Sequence, residues 1–403
     1  MIGGEVAQRL SPEVLSHLAR GKRAVIVSGT NGKSTTTRMV ATALARSAGV
    51  ASNIYGDNMP PGIITALMTN PDAHFAALEV DELHVPIVAQ AVKPAAFVFL
   101  NLSRDQLDRV GEIGTVERRL REAVSANPQA AVIANCDDPL IVSAAMDAPR
   151  VIWVAAGAGW GADSVSFPRG GRVIREGETW RVVSEEDGTE LLRRPTPHWW
   201  VEDEDLSGEG AQGLLCGQFD VRVPLHLSLP GRVNLGNAAQ AVAAAIAVGV
   251  YPEDAVEAVT EVAEVAGRYS THNLDGRQVR IMLAKNPAGW QESLLMLSRD
   301  VDQVVIGVNG QVPDGQDLSW LWDVDFDVLG NRQNLRVVAC GERGADLAVR
   351  LAYAGVEAEL VDTPMEAVRR CDAGRVEMLL NYTSLRDFKR VIEARSNEEK
   401  ATS

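Results

Sequence analysis

The stretch Ala24-Val-Ile-Val-Ser28-Gly29-Thr30-Asn31-Gly32-Lys33-Ser34-Thr35-Thr-Thr-Arg-Met39-Val40 decides how the rest of the chain is read. Ala24 to Ser28 is a short apolar run of the kind that forms a buried strand. Beyond Thr35, the apolar residues Met39, Val40, Ala43 and Leu44 fall on one face of a helix. The turn between them carries glycines at 29 and 32. Glycine allows tight backbone conformations there, so successive N–H groups can converge on an anion at the helix N-terminus. A strand, a Gly-Lys-Ser turn and a helix in that order form one version of the phosphate loop that grips ATP, with Val27 where the longer consensus has its first glycine. Lys33 would reach the terminal phosphates, and Ser34 or Thr35 would ligate Mg²⁺. Gly29, Thr30, Asn31 and Gly32 would supply the backbone cradle.

Outward from this loop, strand-like runs recur at 75–78, 96–100 and 131–134, with helical stretches between them. That alternation predicts a parallel sheet covered on both sides. Before the loop, Ser11-Pro12 is expected to open a short helix that Gly21 closes. Between 157 and 217 the chain turns rich in Gly, Trp and charge, which reads as short antiparallel strands inserted into the first domain. Helical periodicity returns at 234–248, and Gly267-Arg268 looks like a hinge. Strand candidates at 304–308, 337–339 and 378–381 then alternate with helices such as 345–354, giving a second, smaller α/β domain. The expected layout is an ATP-binding domain over 1–266, a Rossmann-like α/β domain over 267–395 and a polar tail over 396–403.

The 403 residues suffice for two or three domains. A net charge of -15 argues against a nucleic-acid binder, which needs a basic surface to neutralise phosphates. Cys136, Cys216, Cys340 and Cys371 are far apart, in neither a metal-ligand nor a disulfide pattern. The first residues lack the apolar run of a signal peptide, and no stretch approaches the ~18 apolar residues of a membrane span. A reducing, cytoplasmic compartment is the simplest expectation.

Gly29-Thr-Asn-Gly-Lys-Ser-Thr35 resembles the phosphate loop of the Mur ligase superfamily, enzymes that join a carboxylate to an amine through an acyl phosphate. Further segments match that superfamily in order. Glu79, in Leu-Glu-Val-Asp-Glu, stands where the family places a Mg²⁺-binding glutamate. Asn101-Leu-Ser-Arg-Asp105-Gln-Leu-Asp108-Arg109 and Asn135-Cys-Asp137-Asp138-Pro139 follow, the latter like the nucleotide-side NADDP segment. Gly231-Arg-Val-Asn234-Leu-Gly-Asn237 is similar to a segment whose asparagines contact nucleotide, and Arg268 to the arginine entering the last domain. Taken singly, each has a plain structural reading: an exposed strand end, helix-face charges, a generic turn, a helix cap. Their order carries the resemblance.

Gln106 stands where ordinary Mur ligases carry histidine, and no separate N-terminal substrate domain is expected ahead of the phosphate loop. Both features resemble the MurT family. So do Ala284-Lys285-Asn286-Pro287-Ala288-Gly289, Asp314-Gly-Gln-Asp317-Leu-Ser-Trp320-Leu-Trp322-Asp323 and Asn381-Tyr382-Thr383. The resemblance implies a partner, a GatD-type glutamine amidotransferase, and a substrate, lipid II. Amidation of the α-carboxylate of its D-glutamate would give D-isoglutamine at the inner face of the cell membrane. It also implies that an aspartate of the C-terminal domain completes the partner's Cys–His pair. Asp314 and Asp317 are both candidates, with Asp323 weaker. Trp320 and Trp322 are candidate interface anchors or core. Relatives carry a four-cysteine zinc ribbon in the insert, but here Phe167-Pro-Arg-Gly-Gly171 and Arg193-Arg-Pro-Thr-Pro197 offer no cysteine, and zinc needs about four N or S donors. A degenerate, metal-free ribbon packed around Trp180, Trp199 and Trp200 is expected, with His198 a surface residue. The competing readings are a folylpolyglutamate-synthase-like ligase and a nucleotide-binding subunit without catalysis.

Overall fold

The computed structural model describes residues 2–53, 56–103, 112–157, 164–206, 210–263, 269–315 and 317–402, the side chains of Ile2, Glu112, Phe219 and 396–402 excepted. The described residues form two compact units, the first ending at Ala263 and the second holding every element from Tyr269 onward.

The first unit is built on a nine-stranded sheet. Its strands are Arg23–Ser28 (β1), Val50–Ser52 (β2), Phe75–Glu79 (β3), Ala96–Phe99 (β4), Ala131–Asn135 (β5) and Val151–Val154 (β6), all mutually parallel. Arg172–Glu176 (β7), Thr179–Val183 (β8) and Glu190–Arg193 (β9) make a separate three-stranded antiparallel sheet. Trp199–Asp205 (β10), Ala211–Gly217 (β11) and Val221–Leu227 (β12) then rejoin the main sheet, whose order is β12-β11-β10-β6-β5-β4-β1-β3-β2. Every residue of β3, β4 and β5 is buried, as a sheet covered by helices on both faces requires. Helix Lys33–Ala45 packs against helix Arg232–Ala247, whose run of alanines keeps it slim. A methyl on its Gly236 would meet the Ala156 carbonyl at 2.1 Å, so only glycine fits that close approach.

Two expectations need correction here. Ser11 does not cap a helix: residues 11–13 form a turn, and the helix runs Val14–Ala19 with no side-chain cap, after an unforeseen helix Ile2–Leu10. The stretch 157–217 is also not one insert. β10 and β11 extend the main sheet, because Trp199 pairs in parallel with Val154 and the following hairpin builds on it.

The second unit carries Tyr269–Leu274 (β13), Arg277–Leu283 (β14), Gln303–Gly307 (β15), Arg336–Cys340 (β16), Ala358–Leu360 (β17) and Gly374–Leu380 (β18) in the order β13-β14-β18-β15-β16-β17. All neighbours are parallel except the β13–β14 hairpin. Its core gathers Val279, Ile281, Val305, Val338, Met378 and Leu380 under helices Pro364–Arg370 and Tyr382–Thr402. Among the described residues, no helix is long and apolar enough to cross a membrane.

Candidate active site

Strand β1 is flanked by β3 and β4, so chain order reverses at its carboxyl end, where open α/β sheets bind ligands. The glycine turn of 29–32 leaves β1 at that point and enters the helix beginning at Lys33. Gly29 and Gly32 adopt positive φ, 138° and 86°. A methyl on Gly29 would lie 2.9 Å from the Asn101 carbonyl, and one on Gly32 would lie 2.9 Å from Asn237 Oδ1. Asn101 also holds the loop directly. Its Oδ1 accepts the Asn31 N–H at 2.9 Å and its Nδ2 donates to the Asn31 carbonyl at 3.1 Å. Thr30 is fixed to Ser103 in the same way, through N–H and hydroxyl hydrogen bonds.

Lys33 is buried, and three acceptors surround its ammonium. Nζ donates to the Gly29 carbonyl at 2.5 Å, to the Thr30 carbonyl at 3.2 Å and to Glu82 Oε1 at 3.0 Å. Burial pushes the Glu82 carboxyl up, while the Lys33 charge pulls it down. Glu79, at the end of β3, is 2% exposed, and its Oε2 has no hydrogen-bond partner. An orphaned, buried carboxylate oxygen beside a phosphate loop suits a hard divalent cation. Ser34, whose Oγ would lie 3.9 Å from a methyl on Gly56, and Thr35 are the hydroxyl donors expected with it. The residues present therefore fit Mg²⁺.

Helix Arg232–Ala247 brings the asparagine pair to the same place. Asn234 and Asn237 are buried, and Asn237 Nδ2 donates to Asn234 Oδ1 at 3.3 Å while the Asn237 amide abuts Gly32. Asn135 and Asp137 are engaged within the protein. Asn135 accepts the Asp137 N–H at 3.0 Å and donates to the Gly157 carbonyl at 2.9 Å. Asp137 accepts the Gly157 N–H at 2.8 Å and pairs with Arg194 at 2.5 Å. Asp138 caps helix Pro139–Ala145, accepting N–H groups from Leu140 and Ile141, and also accepts the Leu102 N–H at 2.7 Å. Burial nonetheless pushes its carboxyl up to about 6. Asp105, Gln106, Asp108, Arg109, Gly267 and Arg268 lie outside the described residues.

Trp180 is the centre of the small sheet. It packs with Phe167, Val173, Val182 and Val142, and its indole N–H donates to the Cys136 carbonyl at 2.9 Å. Trp199 instead opens β10 and packs over Gly217, and half-buried Trp200 donates to Glu202 at 2.8 Å. The expectation that all three hold the small sheet is therefore corrected to Trp180 alone. His198 is likewise no idle surface residue: its Nδ1 accepts the Trp153 N–H at 2.9 Å, and burial lowers its pKa.

In the second unit, the two candidate aspartates part company. Asp314 ends a 3₁₀ turn and is buried. Its carboxylate accepts the Thr383 N–H at 3.2 Å on each oxygen and also the Thr383 hydroxyl, and burial raises its pKa. Asp317 is exposed; among the described residues it accepts the nearby Ser319 backbone N–H at 2.8 Å and the Ser319 hydroxyl, bonds that hold it below the usual carboxylate range. Trp320 is core, stacked on Trp290 at 5.7 Å, whereas Trp322 is 55% exposed beside Tyr353. All four cysteines are buried and free. Burial pushes the Cys136 and Cys340 thiols up to about 12 and Cys371 to about 11, and raises Cys216 as well. None is poised as a thiolate nucleophile.

Sequence reading gives no role to Asn53, Glu82 or Arg194. Glu82 opens the 3₁₀ turn Glu82–His84 that follows β3, three residues past Glu79. The other two act through hydrogen bonds that only the fold creates.

Both units resemble known proteins. Residues 27–170 match the Mur ligase middle domain family, and residues 283–385 match the MurT ligase C-terminal family. The chain is 26% identical to the subunit MurT of lipid II isoglutaminyl synthase (glutamine-hydrolyzing) from Streptococcus pneumoniae, over 97% of this chain and 92% of that protein. It superposes on MurF from Acinetobacter baumannii with a TM-score of 0.68 at 17% identity, covering 95% of this chain and 78% of that one. MurF ligase from Thermotoga maritima in complex with ADP gives 0.64 at 15% identity, covering 99% and 85%. These two structures share the fold.

Proposed function

We propose, from the premise that the chain belongs to the MurT family, that it amidates a carboxylate using ATP and ammonia released from glutamine by a partner subunit. As a Mur superfamily member it is an ATP-dependent ligase of peptidoglycan synthesis. The substrate we assign is lipid II, at the α-carboxylate of its D-glutamate, and the partner is a GatD-type glutaminase. The observation that carries this reading is the glycine cradle of 29–32 with buried Lys33 and the orphaned Glu79 carboxylate beside it, on a chain whose four thiols are all buried. Such a chain could activate a carboxylate but has no accessible thiol with which to release ammonia from glutamine.

The chemistry follows from weak electrophilicity. A carboxylate resists attack by ammonia, so an oxygen of it first attacks the γ-phosphorus of ATP and ADP leaves. Ammonia then adds to the acyl carbon, phosphate departs, and a proton is lost to give the amide. Phosphoryl transfer needs positioned charge more than covalent help. Lys33 would neutralise the γ-phosphate, while the backbone of 29–32, steadied by Asn101 and Asn237, would hold the phosphates. Glu79 with Ser34 or Thr35 would hold Mg²⁺, which would supply positive charge to offset that of the phosphates. Asn234 and Arg268 belong to the nucleotide side by resemblance. Asn135 and Asp137 would act there by holding the 135–157 strand ends.

Asp317 is the aspartate we assign to the partner's Cys–His pair. It is exposed and, among the described residues, bonded to nearby Ser319, whereas Asp314 is committed to the start of helix Tyr382–Thr402. We read the three-stranded sheet as a degenerate zinc ribbon in which packing around Trp180 replaces the metal. The test is reconstitution with a candidate glutaminase, followed by assay of ATP- and glutamine-dependent amidation of lipid II. Lys33→Ala should abolish amidation with either nitrogen source. Asp317→Asn should lose glutamine use and keep ammonia use. Incorporation of a free amino acid instead of ammonia would discard the reading in favour of a folate-type ligase, and the absence of nucleotide turnover would favour a non-catalytic subunit.

A further inference from the structure

Strand β2 stops pairing with β3 at Ser52, opposite Ala77. The next residue, Asn53, reaches past the end of that ladder with its side chain. Its Oδ1 accepts the Glu79 N–H at 2.8 Å, and its Nδ2 donates to the Glu79 carbonyl at 2.8 Å. The same Nδ2 donates to the Asp57 carbonyl at 2.9 Å, so both N–H donors of the amide are in use. Asn53 is 5% exposed, and these bonds run through an interior where each is strong and its loss costly. Both backbone groups of Glu79 are thus fixed by one side chain, and that fixes the direction of its Cα–Cβ bond. The carboxylate that results is buried with one oxygen unpartnered.

We infer that Asn53 is a positioning residue that aims the Glu79 carboxylate at a divalent cation, acting through the Glu79 backbone and never touching the ion. The inference rests on the reading of Glu79 as a cation ligand. Groups that orient metal ligands typically change metal affinity by about 10–100-fold when removed.

The experiment measures the affinity of the full chain for ADP and for a non-hydrolysable ATP analogue, with Mg²⁺ and with a chelator, by titration calorimetry. Mn²⁺ binding followed by electron paramagnetic resonance supplies a second readout independent of activity. In Asn53→Ala the Mg²⁺-dependent tightening should shrink by about tenfold while chelator-state affinity holds. Asn53→Asp keeps the acceptor for the Glu79 N–H and loses the donor, so it should fall between the two and serves if the alanine variant does not fold. Asn381→Ala removes an equivalent side-chain grip in the second unit, on Asn309, and controls for general loss of stability. It should lower the melting temperature without changing the Mg²⁺ dependence. An Asn53→Ala protein that keeps the full Mg²⁺ effect, or loses affinity equally with and without the ion, would overturn the inference. If Glu79→Gln also kept the full effect, the assignment of Glu79 itself would fall, a separate outcome.

Discussion

The ion pair between Lys33 and Glu82 sets up a competition that a single substitution can expose. An ammonium has three N–H donors, and here Gly29, Thr30 and Glu82 take all three. A nucleotide phosphate can reach Lys33 only by displacing one of them, and Glu82 is the one whose charge opposes the phosphate. Two unit charges 3.0 Å apart attract by about 5 kcal/mol at an effective dielectric of about 20. Both side chains are nearly buried, 10% and 13% exposed, so desolvation cancels most of that attraction. A charged hydrogen bond nets about 1.5–3 kcal/mol, of which a phosphate that replaces the carboxylate recovers a part. Glu82→Gln keeps the shape and an acceptor but removes the charge. It should tighten Mg²⁺-nucleotide binding by about 1–2 kcal/mol, or about 5–30-fold, and lower the melting temperature of the free protein. Calorimetric titration with ADP and thermal unfolding measure the two effects. Weaker nucleotide binding in Glu82→Gln would refute the reasoning, because it would mean that the carboxylate presents Lys33 to the phosphate and does not compete for it.

Other consequences can be checked alongside. Asp138 has a folded pKa of about 6 against about 3.9 when unfolded, so its favourable contribution is full below pH 4 and disappears as pH rises through 6. The stability difference between Asp138→Asn and the parent should therefore move toward the variant by about 2 kcal/mol between pH 4 and 7. Loss of an acceptor for Leu102 is a constant offset, so a flat difference would disprove the shift. Asp314→Ala should cost about 1–2 kcal/mol in denaturant unfolding, as expected for removal of a helix-start acceptor, with the effect confined to the second unit. Trp180→Ala should cost about 3–5 kcal/mol and raise hydrogen exchange across 164–193, and a small effect would mean that the little sheet is held by something other than this side chain.

How far the sequence carried the fold follows from the range of each interaction. The phosphate loop and the strands after it are legible because hydrophobic runs and glycine turns are local signals. The hairpin β13–β14 has such a signal too, Asp275-Gly276, both at positive φ, yet polar residues on β13 hide the strand. The arm β10–β12 is different. Nothing near Trp199 says that it pairs with Val154 across 45 residues, so it reads as part of the insert. The two aspartates of 314–317 are the clearest case. They share a loop and a chemistry, and only the arrival of Thr383 from 69 residues away distinguishes the buried one from the exposed one. Asn53 shows the same limit at the metal side: a loop asparagine after a three-residue strand carries no mark of what it grips.

Three asparagines, Asn53, Asn101 and Asn381, each hold a neighbouring residue by both its N–H and its C=O. A carboxamide can do this because it is a peptide group in miniature, but unlike a peptide it hydrolyses spontaneously to a carboxylate. That change leaves the size of the side chain almost untouched and abolishes its donor, so ageing would strike at the strand ends that these asparagines hold before it altered the core. The residues that follow them, Ile54, Leu102 and Tyr382, are bulky and hinder the backbone attack that starts this hydrolysis. The residues that Asn101 and Asn381 hold, Asn31 and Asn309, are instead each followed by glycine, so mass spectrometry of aged protein would show whether loss of nucleotide binding keeps time with conversion of Asn31 or with that of Asn53 and Asn101.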